Sequence, residues 1–222
     1  MKDEFKRICK FDRFVVILGL VILPILSFIL ITLSDESPLY TSISRLAWIN
    51  GRWFATFVWA LIVMVSTIFL TSRMVTEGPL CERIKRPFFV FQTVNVILAF
   101  VGCIIFPAKD GIELMRLVNY LHDYLTIGAW ALYGVGLIVY SILLYKQDGF
   151  LGFLGIGLMS FIILSSLFFI IRVIDPSTYV GASAVSEVYV INGIFIYLTV
   201  MYVAERLKRG RERTDHIERS SP

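Results

Sequence analysis

His122 and Asp123 are the residues of this chain best suited by type to proton chemistry. With Asn119 and Thr126 they follow i, i+3, i+4, i+7, so a helix through them carries all four on one side. An imidazole next to a carboxylate offers a base and its orienter for hydrolysis or acyl transfer, with Ser42 or Ser44 as nucleophile. Neighbouring residues on a helix point about 100° apart, however, which makes His122 and Asp123 a poor linear dyad. The same residues suit a second chemistry. Arg45, Arg172 and Glu187 fall at a similar depth, and arginine offers a bidentate fork to a lipid phosphate. A third reading is structural: Asp123 or Glu187 pairs with Arg45 or Arg172, and His122 makes a helix-end hydrogen bond. Metal chemistry has little to work with. His216 is the one other histidine, and Cys9, Cys81 and Cys103 show no ligand spacing, so no metal and no cofactor are expected.

What positions these residues is a set of apolar blocks. The 222 residues are 57% hydrophobic and 17% charged, against about 25% charge in a soluble domain. Mean hydropathy is +0.78. Six blocks approach the roughly 20 residues a bilayer core requires: 14–33, 53–70, 88–106, 124–145, 150–171 and 188–204. Continuous apolar runs fit helices and not the alternation of a barrel. The second and sixth are short, so their ends are expected to recruit Thr71, Ser72, Ser186 or Glu187. The first block is longer than a signal core and lacks a small-residue cleavage site, so it is read as retained. Cys9 and Cys81 flank spans and are open to palmitoylation.

Orientation follows from Lys and Arg. Five lie in the N-terminal segment, four after the second span, one at Lys146 and six in the tail, against five in the remaining loops. Both termini are therefore expected in the cytoplasm. The opposite side then holds the first loop, 107–122 and 172–187. In the first loop, Tyr40, Ile43, Leu46 and Ala47 have the spacing of a short interfacial helix, and Trp48 and Trp53 suit an aromatic belt. Ile112, Met115 and Val118 predict an early start to the fourth helix, near Gly111.

Within the spans, Pro24 predicts a kink, and Gly149, Gly152, Gly155 and Gly157 predict close helix packing. Gln92, Asn95 and Asn192 are costly in lipid and are read as interhelical hydrogen-bonding groups, or as the polar path of a small transporter. After Arg206 the chain reads as a mobile basic tail, its charges setting topology or meeting anionic lipid.

The run HDYLTIGAWALYGVGLIVYSILLY resembles the fourth helix of the damage-regulated autophagy modulator family: a His, Gly-Ala six residues on, and Tyr near the end. PLYTSISRLAWINGRWFATF is similar to that family's first outer loop. Bacterial relatives share ISxL, FP and a helix-opening His, which stand here at 43–46, Phe106–Pro107 and His122. The resemblance spans 14–205 in layout, though Arg45 replaces the acidic residue often found in relatives. It implies six helices with both ends inside and lipids as the partner class.

The expectation is thus an all-α polytopic membrane protein: a cytoplasmic segment at 1–13, a six-helix transmembrane domain at 14–205 and a basic tail at 206–222. Its expected role is non-enzymatic, holding lipid or organising the membrane. A polar extracytoplasmic pocket would take the headgroup, using Ser44, Arg45, Asn119, His122, Asp123, Arg172 and Glu187. The alternatives are a lipid hydrolase or acyltransferase built on His122, Asp123 and Ser44, or a small transporter. Membrane lipids are the expected partners, with a second copy or another membrane protein admitted and nucleic acid excluded. The expected location is a bacterial plasma membrane.

Overall fold

The structure, a computed structural model, describes residues 10–33, 42–48, 51–106, 121–122, 124–173 and 184–220. All regular structure among them is helical. Six helices are long and apolar enough to cross a membrane: Asp12–Thr32, Trp53–Glu77, Glu82–Ile105, Tyr124–Gln147, Gly149–Ser166 and Ala184–Gly210. Phe54, Phe150, Phe153, Phe161 and Leu164 stand exposed on the outside of the bundle, while Ser27, Thr56, Thr67 and Ser141 are fully buried. Exposed apolar bulk around a partly polar interior is the pattern of a bundle solvated by lipid. The chain is an integral membrane protein by this pattern.

Successive spans alternate in direction, so one end of the bundle gathers Asp12, Glu77, Asp148 and Arg206 and the other gathers the Ile43–Trp48 helix and His122. These are called the terminal face and the far face. The core is a single cluster drawing on all six spans, with Tyr133, Tyr140, Tyr197 and Phe195 its largest fully buried side chains.

The second and sixth spans do extend at their ends, taking in Thr71, Ser72, Ser186 and Glu187. The sixth goes further. Its helix runs unbroken from Ala184 to Ser220, 37 residues, so the tail expected to be mobile is helical. The first span contains a π-helical turn, Leu18–Ile22, immediately before Pro24, where the Leu23 amide reaches back to Leu18 O. A proline has no amide hydrogen to return to the preceding turn, and the wider ring absorbs the mismatch. Gly19 in that turn meets Thr199 of the sixth span: a Cβ there would sit 2.0 Å from Thr199 Oγ1.

The expected glycine packing holds for two of four positions. A Cβ on Gly152 would lie 2.2 Å from Tyr145 Cα, and one on Gly155 would lie 2.5 Å from Ser141 Oγ, whereas Gly149 and Gly157 face open space. The first loop does form a short helix, Ile43–Trp48, but its apolar residues Ile43, Leu46 and Ala47 are buried in the bundle. Tyr40, and the early fourth-helix start around Gly111, lie outside the described residues.

Candidate functional site

The far half of the bundle contains a cavity of about 420 Å³. Every span but the first contributes. Trp59 and Val63 come from the second, Val96 and Phe100 from the third, and Ile191 and Ile194 from the sixth. The fourth and fifth spans form its remaining wall, with Trp130, Gly134, Met159 and Ile162. Three lining residues also face outward: Ile127 is 57% exposed, Val135 55% and Ile163 40%. The cavity therefore opens sideways, between the fourth and fifth spans, onto the lipid-facing surface. Its polar lining clusters toward the far face, where Thr126, Ser166, Ser186 and Glu187 border it, with Cys103 beside them. The Thr126 hydroxyl is buried without a hydrogen-bond partner.

At that end the third span stops, and the last carbonyls of a helix need outside donors. The sequence supplies them from three places. His122 Nδ1 lies 2.8 Å from Gly102 O and 2.9 Å from Phe106 O. Both partners are acceptors, so Nδ1 carries a hydrogen and donates it. Trp48 Nε1 donates to Cys103 O at 3.4 Å, and Trp53 Nε1 donates to Ile104 O at 3.3 Å. The aromatic residues expected at the interface here close a helix end. Glu187 Oε2 accepts the Ile43 amide at 2.8 Å, tying the sixth span to the short first-loop helix.

These contacts show where part of the candidate set stands in the fold. His122, 5% exposed, is a helix-end donor, and Glu187 both caps the first-loop helix and borders the cavity. Ser42 is buried at the start of that helix, where its carbonyl accepts the Leu46 amide. The side chains of Ser44, Arg45 and Arg172, and the whole of Asn119 and Asp123, lie outside the described residues. None of Gln92, Asn95 and Asn192 lines the cavity. Gln92 Nε2 donates to Tyr133 O at 2.9 Å, which is the expected interhelical bond, while Asn95 Nδ2 returns to Phe91 O on its own helix.

Sequence reasoning missed the polar structure of the other half. Thr71 and Tyr133 lie 2.6 Å apart, as do Ser141 and Tyr197. Thr71 already donates to Thr67 O, so Tyr133 is the donor of the first pair, whereas Ser141 and Tyr197 both also reach Leu137 O, at 2.9 and 3.3 Å. At the terminal face, Arg206 pairs with Asp12 at 3.7 Å and Glu77 at 3.4 Å, Arg209 reaches Glu77 at 3.4 Å, and Lys208 pairs with Asp148. Three charges of the supposedly free tail are spent on the bundle itself. The one available signal was the seven-residue spacing of Tyr133 and Tyr140, which puts both hydroxyls on one side of the fourth span.

Asp148 also caps the fifth span. Its Oδ1 accepts the Phe150 and Leu151 amides, each at 3.1 Å, as an N-cap aspartate does. Burial works to raise this carboxyl, but the bonds from Lys208 and the Leu151 amide, followed by the Phe150 amide, outweigh it and hold Asp148 below the usual carboxylate range.

Comparison with known proteins returns no matching family model, no matching curated protein and no matching solved structure.

Proposed function

We propose that this integral membrane protein binds lipid, taking one acyl chain sideways into the far-half cavity and leaving the headgroup beside Ser186 and Glu187. The cavity carries the reading. Its volume lies in the range of ligand sites, and its walls are apolar with a few polar groups gathered at one end. The mouth opens onto hydrocarbon, so the nearest filler is a lipid tail. Exchange of a tail between bilayer and cavity gains little from hydrophobicity, because lipid is as apolar as the lining. Selection among lipids then rests on cavity shape and on the polar end. The family resemblance, with lipids as its partner class, supports the same reading, and the Lys and Arg asymmetry supports a plasma membrane with the termini inside.

Gly134 gives the test. It lines the cavity, and a Cβ there meets only Met159 Cε, at 3.9 Å. Gly134→Leu places a side chain in the lipid's volume. Native mass spectrometry of the purified protein should show lipid adducts in the wild type and their loss in G134L. Equal adducts in both would defeat the proposal.

A further inference from the structure

Glu205 lies in the last helix near the terminal face and is 2% exposed. Around it there are more acceptors than hydrogens. Its Oε1 lies 3.2 Å from the Tyr140 hydroxyl, and its Oε2 is buried with no partner. The same hydroxyl lies 3.4 Å from Met74 O. Met74 O is itself short of a donor, because the Gly78 amide, its helical partner, turns to Val75 O at 3.2 Å. One phenolic hydrogen thus serves both Met74 O and Glu205 Oε1, and none is left for Oε2.

The nearby cations are committed elsewhere. The charged and titratable groups acting on Glu205 are Tyr140 of the fourth span, Arg209 of its own helix, Lys85 of the third and Glu77 of the second. Arg209 donates to Glu77 at 3.4 Å and to Gly78 O at 3.0 Å. Lys85 donates to Thr76 O at 3.2 Å and pairs with Glu82 at 3.2 Å. Beyond these, Arg206 serves Asp12 and Glu77, and the Tyr202 hydroxyl is given to Asp12. Asp12 and Glu77 already balance Arg206 and Arg209, so an ionised Glu205 adds a third carboxylate to two guanidiniums. A buried charge without a committed partner costs several kcal/mol.

We propose that Glu205 is a proton-binding site, charged from the aqueous phase at the terminal face. Its carboxylate takes one proton from that phase to become a neutral acid. The added hydrogen reduces the deficit: the Glu205 O–H donates to Tyr140 Oη, and the Tyr140 O–H is released to Met74 O. The neutral acid thereby joins the sixth span to the fourth and second. Loss of the proton reverses both bonds and leaves a net negative charge beside Glu77. The site requires Gly78, since a Cβ there would stand 2.2 Å from the Tyr140 hydroxyl.

The experiment is an alkaline titration of the full-length protein in lipid nanodiscs, followed by infrared difference spectroscopy and thermal unfolding. The wild type should lose one protonated-carboxyl carbonyl band as the pH rises, and its unfolding temperature should fall over the same range. Glu205→Gln mimics the neutral acid, so it should fold, match wild-type stability at neutral pH, and lack both changes. Glu82→Gln, at a carboxylate whose side chain is 86% exposed, should keep both. The proposal is overturned if the wild type shows no such band, if the band loss survives in E205Q, or if E205Q is unstable or unfolded at neutral pH.

Discussion

His122 Nδ1 sits 2.8 Å from Gly102 O, linking the start of the fourth span to the end of the third. At Gly102 the two helices approach closely, for a Cβ on it would lie 2.6 Å from Thr126 Oγ1. One imidazole N–H therefore serves the third span's closing carbonyls at a point where no bulkier contact fits. Removing it leaves buried carbonyls underserved, at about 1–3 kcal/mol. His122→Ala should lower the thermal midpoint in detergent accordingly. Asn places an amide donor near the Nδ1 position, so His122→Asn should recover much of the loss and His122→Gln less. Equal loss in all three variants would mean that the hydrogen bond contributes nothing.

The two glycines that touch a neighbour should behave unlike the two that do not. Gly152 faces the Tyr145 backbone, which cannot swing aside, so Gly152→Ala must push the fourth and fifth spans apart at a cost of about 1–3 kcal/mol. Gly157 meets nothing within 4 Å, and alanine there gains helix propensity, so Gly157→Ala should be neutral or stabilising. Thermal melts of the pair in one detergent decide the matter.

A double-mutant cycle checks the hydroxyl pairing of the second and fourth spans. Thr71→Val removes the acceptor 2.6 Å from the Tyr133 hydroxyl and leaves that hydroxyl stranded in a fully buried site, at about 1–3 kcal/mol. Tyr133→Phe takes away the other partner. With both gone nothing polar is stranded, so T71V/Y133F should be more stable than the sum of the two single losses implies.

The spans were legible because a bilayer demands long apolar runs and the composition supplies six of them. Pro24 was legible for the same local reason, since its missing amide hydrogen acts on its own turn. Contacts between spans were not. Gly149, Gly152, Gly155 and Gly157 look alike in sequence, yet two meet a neighbour and two meet nothing, because helix rotation decides which side is covered. Arg206, Lys208 and Arg209 were counted as topology charges, and the carboxylates they meet come from residues 12, 77 and 148. Glu205 was hidden among them. Only the distance to Tyr140 separates a buried acid from a solvated one. At the far face, His122 and Glu187 were picked by type and depth. The contacts they make depend on where the third span and the first-loop helix end, which spacing does not encode.

Asp148 joins three elements at the terminal face: the end of the fourth span, the first turn of the fifth, and Lys208 of the last helix. Its carboxyl is held below the usual range by the bonds from Lys208, Leu151 and Phe150, which outweigh its burial. A depressed acid adds stability that is complete above its unfolded value and is lost as the pH falls through the folded one. The wild type should therefore lose stability on acidification below the ordinary carboxylate range. Asp148→Asn keeps a capping oxygen but has no charge to lose, so its midpoint should start lower and fall less over the same interval. Asp148→Ala loses the cap as well, at about 0.5–2 kcal/mol. Lys208→Met should flatten the acid response without touching the Phe150 and Leu151 bonds. Melts of these four proteins from neutral to acidic pH supply the check. An unchanged acid slope in D148N would show that the pH dependence arises from another carboxylate.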